Sequence, residues 1–171
     1  RSAMDVSEIG FGAWAIGGSW GPQNEQDSVA ALHKALDLGV KFIDTAAGYG
    51  DGKSERIIAE VLKSRKEKVV VATKTPPLPG NWPPSPYDNM DERYPEKYLR
   101  ENVEERLRNL QTDCLDVLQL HTWTRAWNRN PRPFEILRDV AVHHRHLPAN
   151  RLGRGADVVH RARNELARVP D

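Results

Sequence analysis

Asp44, Tyr49, Lys74 and His121 are four side chains of complementary types for moving a proton. A free phenol has a pKa of about 10, too high for an efficient proton donor near neutrality. A neighbouring ammonium favours the phenolate, and a carboxylate beside that ammonium keeps it charged and in place. An imidazole can then orient and polarise a carbonyl oxygen that is about to accept the proton. Singly, each residue has an ordinary reading. Asp44 reads as a capping or loop acid, Tyr49 as a packing tyrosine, Lys74 as a solvated charge and His121 as a hydrogen-bonded structural histidine. Their positions make the set informative.

Three of the four terminate apolar strands. Asp44 closes Phe42-Ile43-Asp44, Lys74 closes Val70-Val71-Ala72-Thr73-Lys74, and His121 closes Val117-Leu118-Gln119-Leu120-His121, while Tyr49 lies in the loop after the first of these. A further strand is read at Val6–Phe11, where apolar and polar residues alternate ahead of Gly17-Gly18. Between the strands come stripes at helical spacing: Val29, Leu32, Ala35 and Leu36; then Ile57, Ile58, Val61 and Leu62; then, from Pro95, Leu99, Val103, Leu107 and Leu110. Strands separated by amphipathic helices imply an α/β fold with parallel pairing and crossover connections. That suits a barrel or a doubly wound sheet, and in both the active site gathers at the C-terminal ends of the strands.

Residues 75–94 break the rhythm with a Pro-rich run, Thr75 to Pro84, too long for an ordinary connection. It reads as a lid or as a surface insertion. Pro133 to Arg145 is expected to form another helix, with Phe134, Leu137 and Val140 as anchors. Where a fifth strand is due, His146 to Gly155 offers none, and no lysine follows Lys97. The chain therefore divides into 1–140, a run of βα units, and 141–171, an Arg-rich atypical segment. The abrupt change is expected from a shifted reading frame or a truncated gene, and the first residue, Arg1, suggests a missing start.

The composition, 39% hydrophobic and 29% charged, is ordinary for a globular chain, and a net charge of +1 gives no electrostatic case for a nucleic-acid or membrane partner. No apolar run is long enough to span a bilayer. The single cysteine, Cys114, has no partner in the chain for a disulfide, which points to a reducing, cytoplasmic setting.

Rival motifs fail on spacing or context. Gly48-Tyr49-Gly50-Asp51-Gly52-Lys53-Ser54 follows a strand and precedes a helix as a phosphate-binding loop does, but Ala47 stands where the first glycine belongs, and Asp116 is read in the middle of a strand from Cys114 to Leu120, not at a strand end for magnesium. Gly10-Phe11-Gly12-Ala13-Trp14-Ala15 approximates a dinucleotide fingerprint without opening a helix. His143, His144 and His146 lack a carboxylate or thiolate partner for a metal.

Gly39-Val40-Lys41-Phe42-Ile43-Asp44-Thr45-Ala46, with Tyr49, Gly50 and Glu55, resembles the signature of the aldo-keto reductases. Val6 to Trp14 is similar to that family's first barrel strand, and Ala72-Thr73-Lys74 and Leu118-Gln119-Leu120-His121 to its third and fourth. The resemblance implies a parallel (β/α) TIM-type barrel, of which about four of the eight units are present. It implies hydride transfer from NADP(H) to a small aldehyde or ketone, with Tyr49 as general acid, Lys74 and Asp44 supporting it, and His121 orienting the carbonyl. It places Ala13, Trp14 and Asp44 against the cofactor, whose remaining contacts would lie on later strands. Trp20, Trp82, Trp123 and Trp127 follow strands and could line a pocket, although ordinary loop packing accounts for each. A half-barrel leaves two open edges, which a second copy of the chain could cover. The alternative is a catalytically incomplete fragment, a pseudoenzyme or a regulatory subunit.

Overall fold

The structure is a computed structural model that describes residues 4–18 and 20–143. The first βα unit is β1 (Phe11–Gly12), a 3-10 turn at Ala15–Gly17 and α1 (Glu25–Asp37); the second is β2 (Phe42–Asp44) and α2 (Lys53–Lys63). The third is β3 (Val70–Thr75), a short helix α3 (Met90–Arg93) and α4 (Glu96–Leu110). The fourth is β4 (Val117–Leu120), a 3-10 turn at Arg125–Arg129 and α5 (Arg132–His143).

The four strands form one sheet in the order β1-β2-β3-β4, every neighbouring pair parallel. Space order equals chain order, so the sheet winds in one direction without the reversal that defines a doubly wound fold. That is the arrangement of a (β/α) barrel. The register carries the strand ends to one level: Gly12 pairs with Asp44, Asp44 with Ala72, and Lys74 with Gln119.

Local chemistry explains the helix limits. Asn24 caps α1 by accepting the Gln26 N–H at 2.9 Å, and Gly39 turns the chain out of the helix at φ +89°. Pro95 precedes α4, whose last turn ends on Gln111 in the left-handed region, φ 51°. α1 and α2 bury Leu32, Leu36, Ile57, Ile58 and Val61 against Ile43 and Val71 of the sheet. A second cluster joins Leu99 and Val103 of α4 to Met90, Tyr94, Trp127 and Ile136. β3 is central, and five of its six residues are buried, as a strand covered on both faces should be.

Two expectations need correction. The strand read at Val6–Phe11 is reduced to Phe11–Gly12: Val6 and Ile9 are exposed, and the Ser7 hydroxyl, in place of a strand backbone group, takes the Lys41 N–H at 2.8 Å. Asp116 does not sit in mid-strand. It precedes β4, and its carboxylate accepts the Val71 N–H at 2.9 Å, capping the bottom of the β3–β4 pairing. Past the Pro-rich run, the segment 75–94 closes with the short helix α3. The helix expected from Pro133 is α5. Its side chains from Val140 onward, that of His143 included, and the segment 144–171 with His144 and His146 lie outside the described residues.

Ile58 is fully buried between α2 and the sheet. Ile58→Ala is expected to lower unfolding stability by about 2–5 kcal/mol, read from denaturant midpoints at unchanged slope.

Candidate active site

Parallel pairing brings the ends of β2, β3 and β4 together, and the four residues meet there. Lys74 Nζ lies 2.6 Å from Asp44 Oδ1 and donates to the Thr45 carbonyl at 2.9 Å. The same ammonium is 5.2 Å from the centre of the Tyr49 ring, within cation–π range. The His121 imidazole stands edge-on to that ring at 5.8 Å. The backbone holds the frame: Ala47 N–H bonds to the Lys74 carbonyl at 3.2 Å and His121 N–H to the Thr75 carbonyl at 2.8 Å.

The Tyr49 turn is fixed by its own hydrogen bonds. Tyr49 N–H reaches the Ala46 carbonyl, Gly52 N–H that of Ala47, and Ser54 N–H that of Tyr49. These internal bonds occupy amides that a phosphate-binding loop would aim at its ligand. The turn also packs directly on Gly17, where an added Cβ would stand 2.5 Å from the Tyr49 carbonyl carbon; the close approach requires glycine.

Burial sets the protonation of His121. Loss of solvent holds its imidazole below the usual histidine range, Lys74 pushes the same way, and Asp44 opposes both. It is therefore neutral at pH 7, with an N–H to donate and no added charge.

Aromatic rings surround the tetrad. Trp14 stacks on Tyr49 at 6.0 Å and 26°, Trp20 meets Trp14 edge-on at 5.3 Å, and Trp82 meets His121 edge-on at 5.6 Å. Trp82 arrives from the long loop after β3, which therefore reaches the site. Trp127 does not line it: it is buried in the second cluster, packs edge-on against Trp123, and its indole N–H bonds to the Asp88 carbonyl. Trp14 is half exposed at the mouth, whereas Ala13 is fully buried, its N–H on the Asp44 carbonyl and its own carbonyl taken by the Ser54 hydroxyl. The start of the fingerprint-like run leads only into the 3-10 turn at Ala15–Gly17. Among the described residues no group of three or more His, Cys, Asp or Glu could hold a metal, and no helix is long and apolar enough to cross a membrane.

Beneath the rim lies a group that the sequence reading did not treat as part of the site. Glu55 of α2 is fully buried, hydrogen-bonded by Thr73 and Asn109 and ion-paired with Arg106 of α4. The signal was available in Glu55's place in the signature, but charges in a helix read ordinarily as a solvated face.

The aldo/keto reductase family model matches residues 8–145. The chain belongs to this family. It is 38% identical over 124 residues to aldo-keto reductase YhdN of Bacillus subtilis, covering 70% of this chain and 35% of the relative. It is 34% identical over 124 residues to L-galactose dehydrogenase of Arabidopsis thaliana, covering 71% and 36%. The fold matches an aldo-keto reductase from Bacillus halodurans with a TM-score of 0.63 at 28% identity, over 83% of this chain and 45% of the other. An aldo-keto reductase from Klebsiella pneumoniae in complex with NADPH matches with a TM-score of 0.56 at 28% identity, over 81% and 43%. The chain thus spans a little over a third of these curated relatives and less than half of these solved chains.

Because the folded state resists protonating His121, the unfolded state binds more protons below the ordinary histidine value of 6.5. Stability from this residue is therefore present above that pH and falls away as pH drops through it. His121→Asn is expected to flatten the loss of stability between about pH 7 and 5, measured by denaturant unfolding at each pH.

Proposed function

We propose that this chain supplies the proton-transfer half of a nicotinamide-dependent carbonyl reductase, acting on a small aldehyde or ketone. The observation that carries the reading is the contact of Lys74 with both the Asp44 carboxylate and the Tyr49 ring at the strand ends. The residues present fit a nicotinamide: a half-exposed indole, Trp14, and a partly exposed carboxylate, Asp44, stand beside Tyr49 at the mouth. NADPH is favoured by the named complex of the Klebsiella pneumoniae relative. A reduced nicotinamide, when bound, supplies the hydride.

This chain's residues do the rest. Tyr49 gives its phenolic proton to the carbonyl oxygen as that oxygen gains negative charge. Lys74 steadies the phenolate left behind, and Asp44 holds Lys74 in place. Neutral His121 donates its N–H to the carbonyl oxygen, fixing the carbonyl against Tyr49. Trp14 and Trp82 exclude water from the two sides of the pair.

A second reading has its own support. The chain spans 35% of its Bacillus subtilis relative, and by family resemblance most pyrophosphate and adenosine contacts fall on strands beyond those described. It would then be a non-catalytic partner or an incomplete enzyme that retains the tetrad. Titration with NADPH separates the two: saturable quenching of tryptophan fluorescence supports the enzyme, and no change supports the second reading. In the reductase, Tyr49→Phe is expected to lower kcat by about 10²–10⁴-fold at unchanged NADPH affinity, measured by oxidation of NADPH with a simple aldehyde. Retention of wild-type turnover would remove Tyr49 from its assigned role.

A further inference from the structure

Behind the tetrad, on the helix side of the sheet, α2, β3 and α4 share one buried polar cluster. Both Glu55 oxygens are used: Oε1 accepts from Thr73 Oγ1 at 2.6 Å, and Oε2 accepts from Asn109 Nδ2 at 2.9 Å and faces Arg106 Nε at 2.8 Å. Arg106 is almost wholly buried, and its remaining nitrogens reach Asn102 at 3.1 Å and Glu105 at 3.0 Å. Burial raises the Glu55 carboxyl above its ordinary range, while Arg106, Thr73 and Asn109 pull it back. An ion pair in such a place is weak evidence of stabilisation, because apolar side chains of equal volume often hold a fold as well or better. What directional polar bonds add is register.

The register set here belongs to the tetrad. Thr73 immediately precedes Lys74, and successive strand residues point to opposite faces, so Glu55 grips β3 from behind the residue that carries the ammonium. Glu55 also follows Ser54, whose hydroxyl pairs with Thr45 Oγ1 at 2.8 Å and donates to the Ala13 carbonyl at 2.9 Å. Ser54 N–H in turn holds the Tyr49 carbonyl. Two adjacent residues of α2 therefore tie the Tyr49 turn to the ends of β1, β2 and β3.

We infer that Glu55, anchored by Arg106, is a positioning residue that sets Lys74 relative to Asp44 and Tyr49 by bonding the Thr73 hydroxyl. The catalytic meaning of that placement rests on the reading above; the placement itself is tested without turnover.

The test is Thr73→Val in the full chain labelled with ¹⁵N-lysine. The Lys74 ammonium signal is assigned by its loss in Lys74→Arg. The expected result is that Thr73→Val displaces or abolishes the Lys74 signal and leaves that of Lys41, paired with Asp5 on the surface, in place. Thr73→Ser, which keeps the hydroxyl, is expected to restore it. If Thr73→Val does not fold, Thr73→Cys, of similar size with a weaker donor, carries the same comparison. A folded Val or Cys variant with an unmoved Lys74 signal overturns the inference, whatever its thermal stability. So does a displaced signal that Thr73→Ser fails to restore. Neither result depends on NADPH oxidation, so failure here and failure of the reductase reading are separate outcomes.

Discussion

The contact between Lys74 and Asp44 is the constraint on which the candidate site depends. A lysine at a strand end has a long, freely rotating stem, and left alone it would extend into water. Here a carboxylate from the neighbouring strand and the Thr45 carbonyl hold it back over the Tyr49 ring. Parallel pairing makes this possible, because the register places residues 44 and 74 on adjacent strands at the same end of the sheet. Tyr49 and His121 then need only short reaches from the next turn and the next strand.

The frame behind the pair is more deeply buried than the rim. β3 is buried on both sides, α2 and α4 close over it, and a fully buried glutamate and arginine lie between them. The rim is built of exposed indoles on turns and on the long loop after β3. In parallel barrels the sites gather at the C-terminal ends of the strands, and the loops after the strands vary more than the strands they connect.

Much of this was legible in the sequence. Asp44, Lys74 and His121 could be placed at strand ends because buried parallel strands read as unbroken apolar runs. Tyr49 followed from its position in the adjoining turn. The order of strands was not legible, because alternation of strand and helix is common to barrels and doubly wound sheets. The alternation at Val6–Phe11 signals a half-buried strand longer than β1, yet Val6 and Ile9 find no sheet to bury against. Trp82 and Trp127 carried identical local signals, and only the path of the loop after β3 sends one to His121 and the other into the core. Glu55 and Arg106 were invisible as a pair because they lie on different helices, and helical charge reads as solvent-facing.

The most direct measurement is a double-mutant cycle on the central pair, with Asp44→Asn, Lys74→Met and the combination unfolded in denaturant alongside the parent chain. Groups held in contact should show a coupling of about 0.5–3 kcal/mol, with the second substitution costing less once the first is made. Strict additivity, within about 0.3–0.5 kcal/mol, would mean that the ammonium and the carboxylate do not meet, and the shared proton-transfer site would have no foundation.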